Sequence, residues 1–71
     1  MKNKQYIISL KNLSVVLRPN KNNWDIMVVL KKTQEIWLTM NQVKPTDIDL
    51  VVDKLKEGDA ELSKVYLESS I

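Results

Sequence analysis

Residues Trp24–Met40, "WDIMVVLKKTQEIWLTM", decide how this chain folds. Two runs rich in β-branched and aromatic residues flank the polar "KTQE" (32–35), which is the composition of two antiparallel strands turned back through a loop. Side chains alternate across a strand, so a half-buried strand normally has one apolar and one polar face. Here Ile26, Val28 and Leu30 share one face, and Met27 and Val29 share the other.

Pairing with the second run does not remove the anomaly, although a one-residue slip exchanges the faces. An even-numbered loop pairs Val29 with Leu38 and Met27 with Met40. One side then carries Trp24, Ile26, Val28, Leu30 and Trp37, and the other carries Met27, Val29, Ile36, Leu38 and Met40. An odd-numbered loop pairs Leu30 with Leu38 and brings Ile36, Leu38 and Met40 to the first side. Met27, Val29 and Trp37 are then left with Val16. Neither register yields a polar face.

Working outward, "QYIISL" (5–10) and "LSVVLR" (13–18) read as a hairpin around Lys11-Asn12, since Asn tolerates the positive φ of short turns. Leu13, Val15 and Leu17 alternate with Ser14, Val16 and Arg18, and "PNKNN" (19–23) is turn chemistry. Pro45 discourages helix at Lys44, and after it the period changes. Thr46 reads as an N-cap with Asp49 in capping-box position, and Ile48, Val51, Val52 and Leu55 make an apolar helical stripe. Gly58 suits a left-handed stop and Asp59 a fresh N-cap, after which Leu62, Val65 and Tyr66 continue the stripe. The expected fold is α+β: a four-stranded antiparallel sheet (5–40) followed by a C-terminal helical half (46–69), either one helix or two broken at Gly58. Residues 1–71 form a single small domain.

A chain of 71 residues is small, and such a domain buries only about 60% of the surface its unfolded form exposes. Small domains are often supported by disulfides, a metal or a partner. Cysteine and histidine are both absent. Disulfides, thiolate metal sites, cysteine nucleophiles and the commonest general base go with them. No phosphate-binding loop is present, and Asp47 and Asp49 read as first-turn acids, not a metal site. The expectation is a protein without catalysis, cofactor, metal or small-molecule substrate.

A single helical layer covers one face of a sheet. The other face exposes large side chains, each worth about 1.5–3 kcal/mol if buried. A contiguous patch of that kind marks a binding surface, with Val16, Met27, Val29 and Trp37 as the candidate interface. The competing expectation is a sheet curled on itself so that one chain buries both sides. The docking reading makes the chain a protein-interaction module, a homodimer or an inhibitor or adaptor. Ten of its eleven basic residues are lysine and six positions are asparagine, a bias of AT-rich bacterial or phage genomes. No stretch approaches the ~20 apolar residues of a membrane span, so the expected setting is the cytoplasm of a bacterium or of a phage-infected host cell.

Charge is segregated. Residues 1–32 hold seven basic residues against Asp25, 7 − 1 = +6, and residues 33–71 hold four lysines against eight carboxylates, 4 − 8 = −4. The basic half supports a second expectation, nucleic-acid contact through Lys11, Arg18, Lys21, Lys31 and Lys32, with Trp24 and Trp37 as stacking platforms. Four strands and then a helix, over residues 5–57, resembles the layout of the positive-cofactor-four type of single-stranded-DNA binders, which present curved basic sheets as dimers. The resemblance is one of element order and carries no residue roles. In the acidic half, Asp49, Asp53, Glu57 and Glu61 recur every fourth residue and form one ridge on a continuous helix. That ridge is either a solvated face or one matched to a basic partner.

Overall fold

The structure, a computed structural model, describes residues 4–69. Strands β1 (Tyr6–Ser9), β2 (Leu13–Asn20), β3 (Asn23–Leu30) and β4 (Ile36–Val43) pair antiparallel in chain order in one sheet. A 3₁₀ turn over Pro45–Asp47 leads into helix α1 (Ile48–Ser69). The α+β order expected from the sequence is the one observed.

The β1–β2 loop is Lys11-Asn12, with Ile7 opposite Val16 and Ser9 opposite Ser14. Neither loop residue takes a positive φ, contrary to the sequence expectation; Lys21, Gln34 and Gln42 do. Strand β2 runs through Pro19 to Asn20, two residues beyond the expected end, which reduces the turn to Lys21-Asn22. In a two-residue hairpin the flanking pair, Asn20 and Asn23, is the hydrogen-bonded one. Pro19, one step back, therefore aims its missing donor away from β3, beyond the end of β1, and the ladder loses nothing.

Leu13, Val15, Leu17, Ile26 and Val28 from the central strands are buried beneath Leu55. Ile8, Leu10, Trp24, Leu38, Met40 and Val43 surround them, with Ile48, Val51 and Leu62 added from the helix. The apolar stripe of α1 thus covers one face of the sheet. Tyr6 tilts against Trp24 at that face, ring centroids 5.8 Å apart.

Two expectations about the helix are corrected, and the alternative left open at Gly58 is decided for one helix. It begins with Pro45 in the 3₁₀ turn instead of with Thr46 as cap, because Lys44 is held extended (φ −67°, ψ 144°) and Pro45 supplies the first turn. It runs unbroken through Gly58, which has no positive φ. Asp59 is not a cap either. It lies in mid-helix on the buried stripe, 8% exposed. Its Oδ1 accepts the Asn12 backbone N–H at 2.7 Å, and its backbone carbonyl accepts from the Asn12 side chain at 3.1 Å. Asn12 Nδ2 also donates to Ser63 Oγ at 2.6 Å, and the Asn12 carbonyl accepts from the Lys31 N–H at 2.9 Å. A buried carboxylate costs several kcal/mol unless it is hydrogen-bonded. Asp59 therefore holds the helix in register over the β1–β2 turn.

Replacing Asp59 with Ala leaves the Asn12 N–H without its acceptor, a loss of about 1–3 kcal/mol set against a helix-propensity gain of at most about 0.7. Thermal unfolding followed by circular dichroism should show Asp59→Ala melting several degrees below wild type. Asp53→Ala, exposed on the same helix, has only the propensity gain and should melt at or above wild type. Equal melting of the two variants would show that the Asn12–Asp59 contact does not anchor the helix.

Candidate interaction surface

Strand β4 decides what lies on the uncovered face. Its register with β3 shifts twice. Ile26 pairs with Met40 and Val28 with Leu38, so Leu38 and Met40 join the core face as in the odd-numbered alternative, although Leu38 stands opposite Val28 and not Leu30. Between Leu38 and Ile36 the pairing slips: Ile36 stands opposite Val29, and Trp37 is the extra residue of a β-bulge. The five-residue connection Lys31–Glu35 sets this up. Leu30 N–H donates to the Glu35 carbonyl and Gln34 N–H to the Leu30 carbonyl, both at 2.8 Å, with Gln34 at φ 65°.

The bulge exchanges two residues between faces. Ile36, expected with the core in this register, lies on the open face, 60% exposed. Trp37, expected on the open face with Met27 and Val29, instead reaches the helix. A Cβ placed on Gly58 would stand 3.2 Å from Trp37 Cη2. Gly58 is therefore the flat spot on α1 against which the indole packs, which accounts for a glycine inside an unbroken helix.

The second slip lies opposite Asp25, between the Trp24–Val43 and Ile26–Met40 pairs. Gln42 takes φ 57°, and its N–H donates to Asp25 Oδ1 at 3.1 Å, while Asn20 Nδ2 donates to Oδ2 at 3.0 Å. Asp25 holds the bulge closed and Val43 returns to the core side.

The open face has two central rows. One runs Ile7–Val16–Met27–Thr39, and the next runs Ser9–Ser14–Val29–Ile36. Val16, Met27 and Val29, singled out from the sequence, come together there half-buried. Ile7 (62% exposed) and Ile36 complete a diagonal apolar band. Ile7 was legible, because a Lys11-Asn12 loop sets it opposite Val16; Ile36 was placed beside Met27 and Val29 only by the even-numbered alternative. Beyond Val16 and Met27 the face ends in Arg18 opposite Asp25. Val16, Arg18, Asp25, Met27, Thr39 and Asn41 line a shallow depression of about 190 Å³. A second apolar groove of about 430 Å³ runs between β4 and α1, lined by Trp37, Leu38, Met40, Leu50, Val51 and Lys54.

The residues expected to meet nucleic acid do not share a surface. Lys21 is at one end of the sheet, with Lys11, Lys31 and Lys32 at the other, and Arg18 is on the open face. Trp24 is packed into the core side. Lys31 Nζ donates to Ser9 Oγ and the Leu10 carbonyl, and Lys32 stands 4.6 Å from the Tyr66 ring centroid. Asp49, Asp53, Glu57 and Glu61 are all exposed on the continuous helix, with Glu61 3.5 Å from Lys64. Among the described residues no group of His, Cys, Asp or Glu is placed to hold a metal ion. Among the described residues no helix is long and apolar enough to cross a membrane. Compared with protein-family models, with curated proteins and with solved structures, the chain matches none.

Gly58→Ala favours the helix by up to about 1 kcal/mol, but its methyl meets the indole of Trp37, which is 41% exposed and has to give by a few tenths of an ångström. In a Trp24→Phe background, Gly58→Ala should melt no lower than its parent and emit further to the red. Unchanged emission would mean that Trp37 does not rest on Gly58.

Proposed function

We propose that this chain is a small non-enzymatic protein-interaction module that docks through the open face of its sheet, acting as an inhibitor or adaptor in the cytoplasm of a bacterium or a phage-infected cell. The observation that carries the docking reading is the band Ile7, Val16, Met27, Val29 and Ile36, which no element of the described chain covers. Scattered apolar residues on a surface are ordinary, but a contiguous band across four strands is not. The dimensions agree. The radius of gyration is 13.3 Å, against about 11 Å for a compact chain of this length. A molecule drawn out in this way has surface to spare for a partner.

Nucleic-acid binding has weaker support, because its candidate residues are dispersed and Lys31 and Lys32 already have partners. The basic end made by Lys11, Lys31, Lys32 and Lys64 is what favours it, beside a cleft of about 390 Å³.

Light scattering separates the two. On the docking reading, the protein, alone or with its partner, runs above the 8.3 kDa of one chain. The association survives added salt and is lost in a Val29→Lys variant that keeps the circular dichroism and melting of wild type. A folded Val29→Lys chain that associates undiminished overturns the reading. Binding that appears only with single-stranded nucleic acid and weakens steeply with salt supports the alternative.

A further inference from the structure

We infer that the occupant of the open face is a second copy of this chain, packed face to face about a two-fold axis that lies in the plane of the face and runs along the strands between β2 and β3. The inference rests on the docking reading and goes further by naming the partner and the geometry. Strand register carries it. A rotation about that axis keeps every cross-strand row at its own height, sets β2 over β3 of the second copy, and sets β1 over its β4. Arg18 and Asp25 share one row. Each Arg18 therefore meets Asp25 of the second copy, and one symmetric contact makes two opposite-charge pairs.

Within one chain the two charges do not use each other. Arg18 and Asp25 stand directly opposite on neighbouring strands but form no ion pair. The guanidinium turns to Gln5 Oε1 at 3.2 Å instead. Asp25 accepts from Gln42 N–H and Asn20 Nδ2 at the rim of the face.

The apolar row is matched by the same operation. Val16 lies over Met27 of the second copy, and Ile7 lies over Thr39, beside the depression between Met27, Thr39, Asp25 and Asn41. Turning the second copy about the perpendicular in-plane axis gives no such match, since it sets Arg18 over Ser14 and Asp25 over Val29. Size is adequate too. Strands about 4.8 Å apart and up to eight residues long offer about 500 Å² per copy. The pair then buries about 1,000 Å², the lower bound for a specific interface.

Sedimentation equilibrium from micromolar to millimolar concentration tests the assignment. Wild type should approach twice 8.3 kDa, and Arg18→Glu, which sets like charges together at two symmetric points, should weaken the dimer roughly a hundredfold or more. The double variant Arg18→Glu/Asp25→Lys should regain it. Because Asp25 also holds the Gln42 N–H, a second measurement leaves Asp25 in place. The chain has no cysteine, so single Ile7→Cys and Thr39→Cys variants are uniquely reactive. A short thiol-to-thiol cross-linker should join the two variants when mixed and neither variant to itself. Wild type that stays at one chain mass throughout, or cross-linking no better in the mixture, overturns the second-copy arrangement. The docking reading is then judged separately, by whether Val29→Lys abolishes association with another protein.

Discussion

A single helix lies over one face of a sheet that carries large apolar side chains on both, and it is wide enough for one. That mismatch governs the molecule. A helix with its side chains is about 10–12 Å across, and strands stand about 4.8 Å apart, so α1 spans little more than the two central strands. The most buried positions, Leu13, Val15, Ile26 and Val28, all come from β2 and β3. The outer strands are covered less well even on the helix side, where Trp37 and Tyr6 remain partly in water.

Which face the helix takes, and how it is rolled, depends on two neighbouring positions near its middle. Gly58 admits the indole of Trp37 on the β4 side, and Asp59 receives Asn12 from the β1–β2 turn. One contact is apolar and requires the absence of a side chain. The other is polar and requires a carboxylate in a place that would otherwise be costly. Both would be lost if the helix rotated by one residue. Apolar burial supplies most of the stability, but burial has no direction, and these two contacts supply the orientation.

This division explains what could be read from the sequence. The sheet, its order and the helix follow from period and composition, which are local properties. The odd-numbered alternative for the β3–β4 hairpin correctly sends Leu38 and Met40 to the core and Met27 and Val29 outward. The failures at Gly58 and Asp59 involve distant contacts. Gly58 and Asp59 look like punctuation because glycine and aspartate usually punctuate helices. The Asn12 that explains Asp59 lies 47 residues away. Ile36 and Trp37 exchange faces because a bulge changes parity without changing composition, and two adjacent apolar residues give no sign of which is the extra one. An acid placed on the stripe between Leu55 and Leu62 was the one visible hint that the helix carried a buried polar contact there.

The two edges of the sheet bear on how the open face can be covered. An exposed edge strand is the usual route by which sheets join. Here β1 has only four paired residues, and β4 is interrupted by two register shifts, with Gln42 in a left-handed conformation. Short strands and bulges are both ways of blunting an edge. Strand addition is therefore discouraged on either side, while the uninterrupted central strands β2 and β3 present Val16, Met27 and Val29 from their middles. A surface that is regular at its centre and broken at its margins favours association by stacking over association by extension. Stacking also uses the property that first set this sequence apart, a hairpin with no polar side.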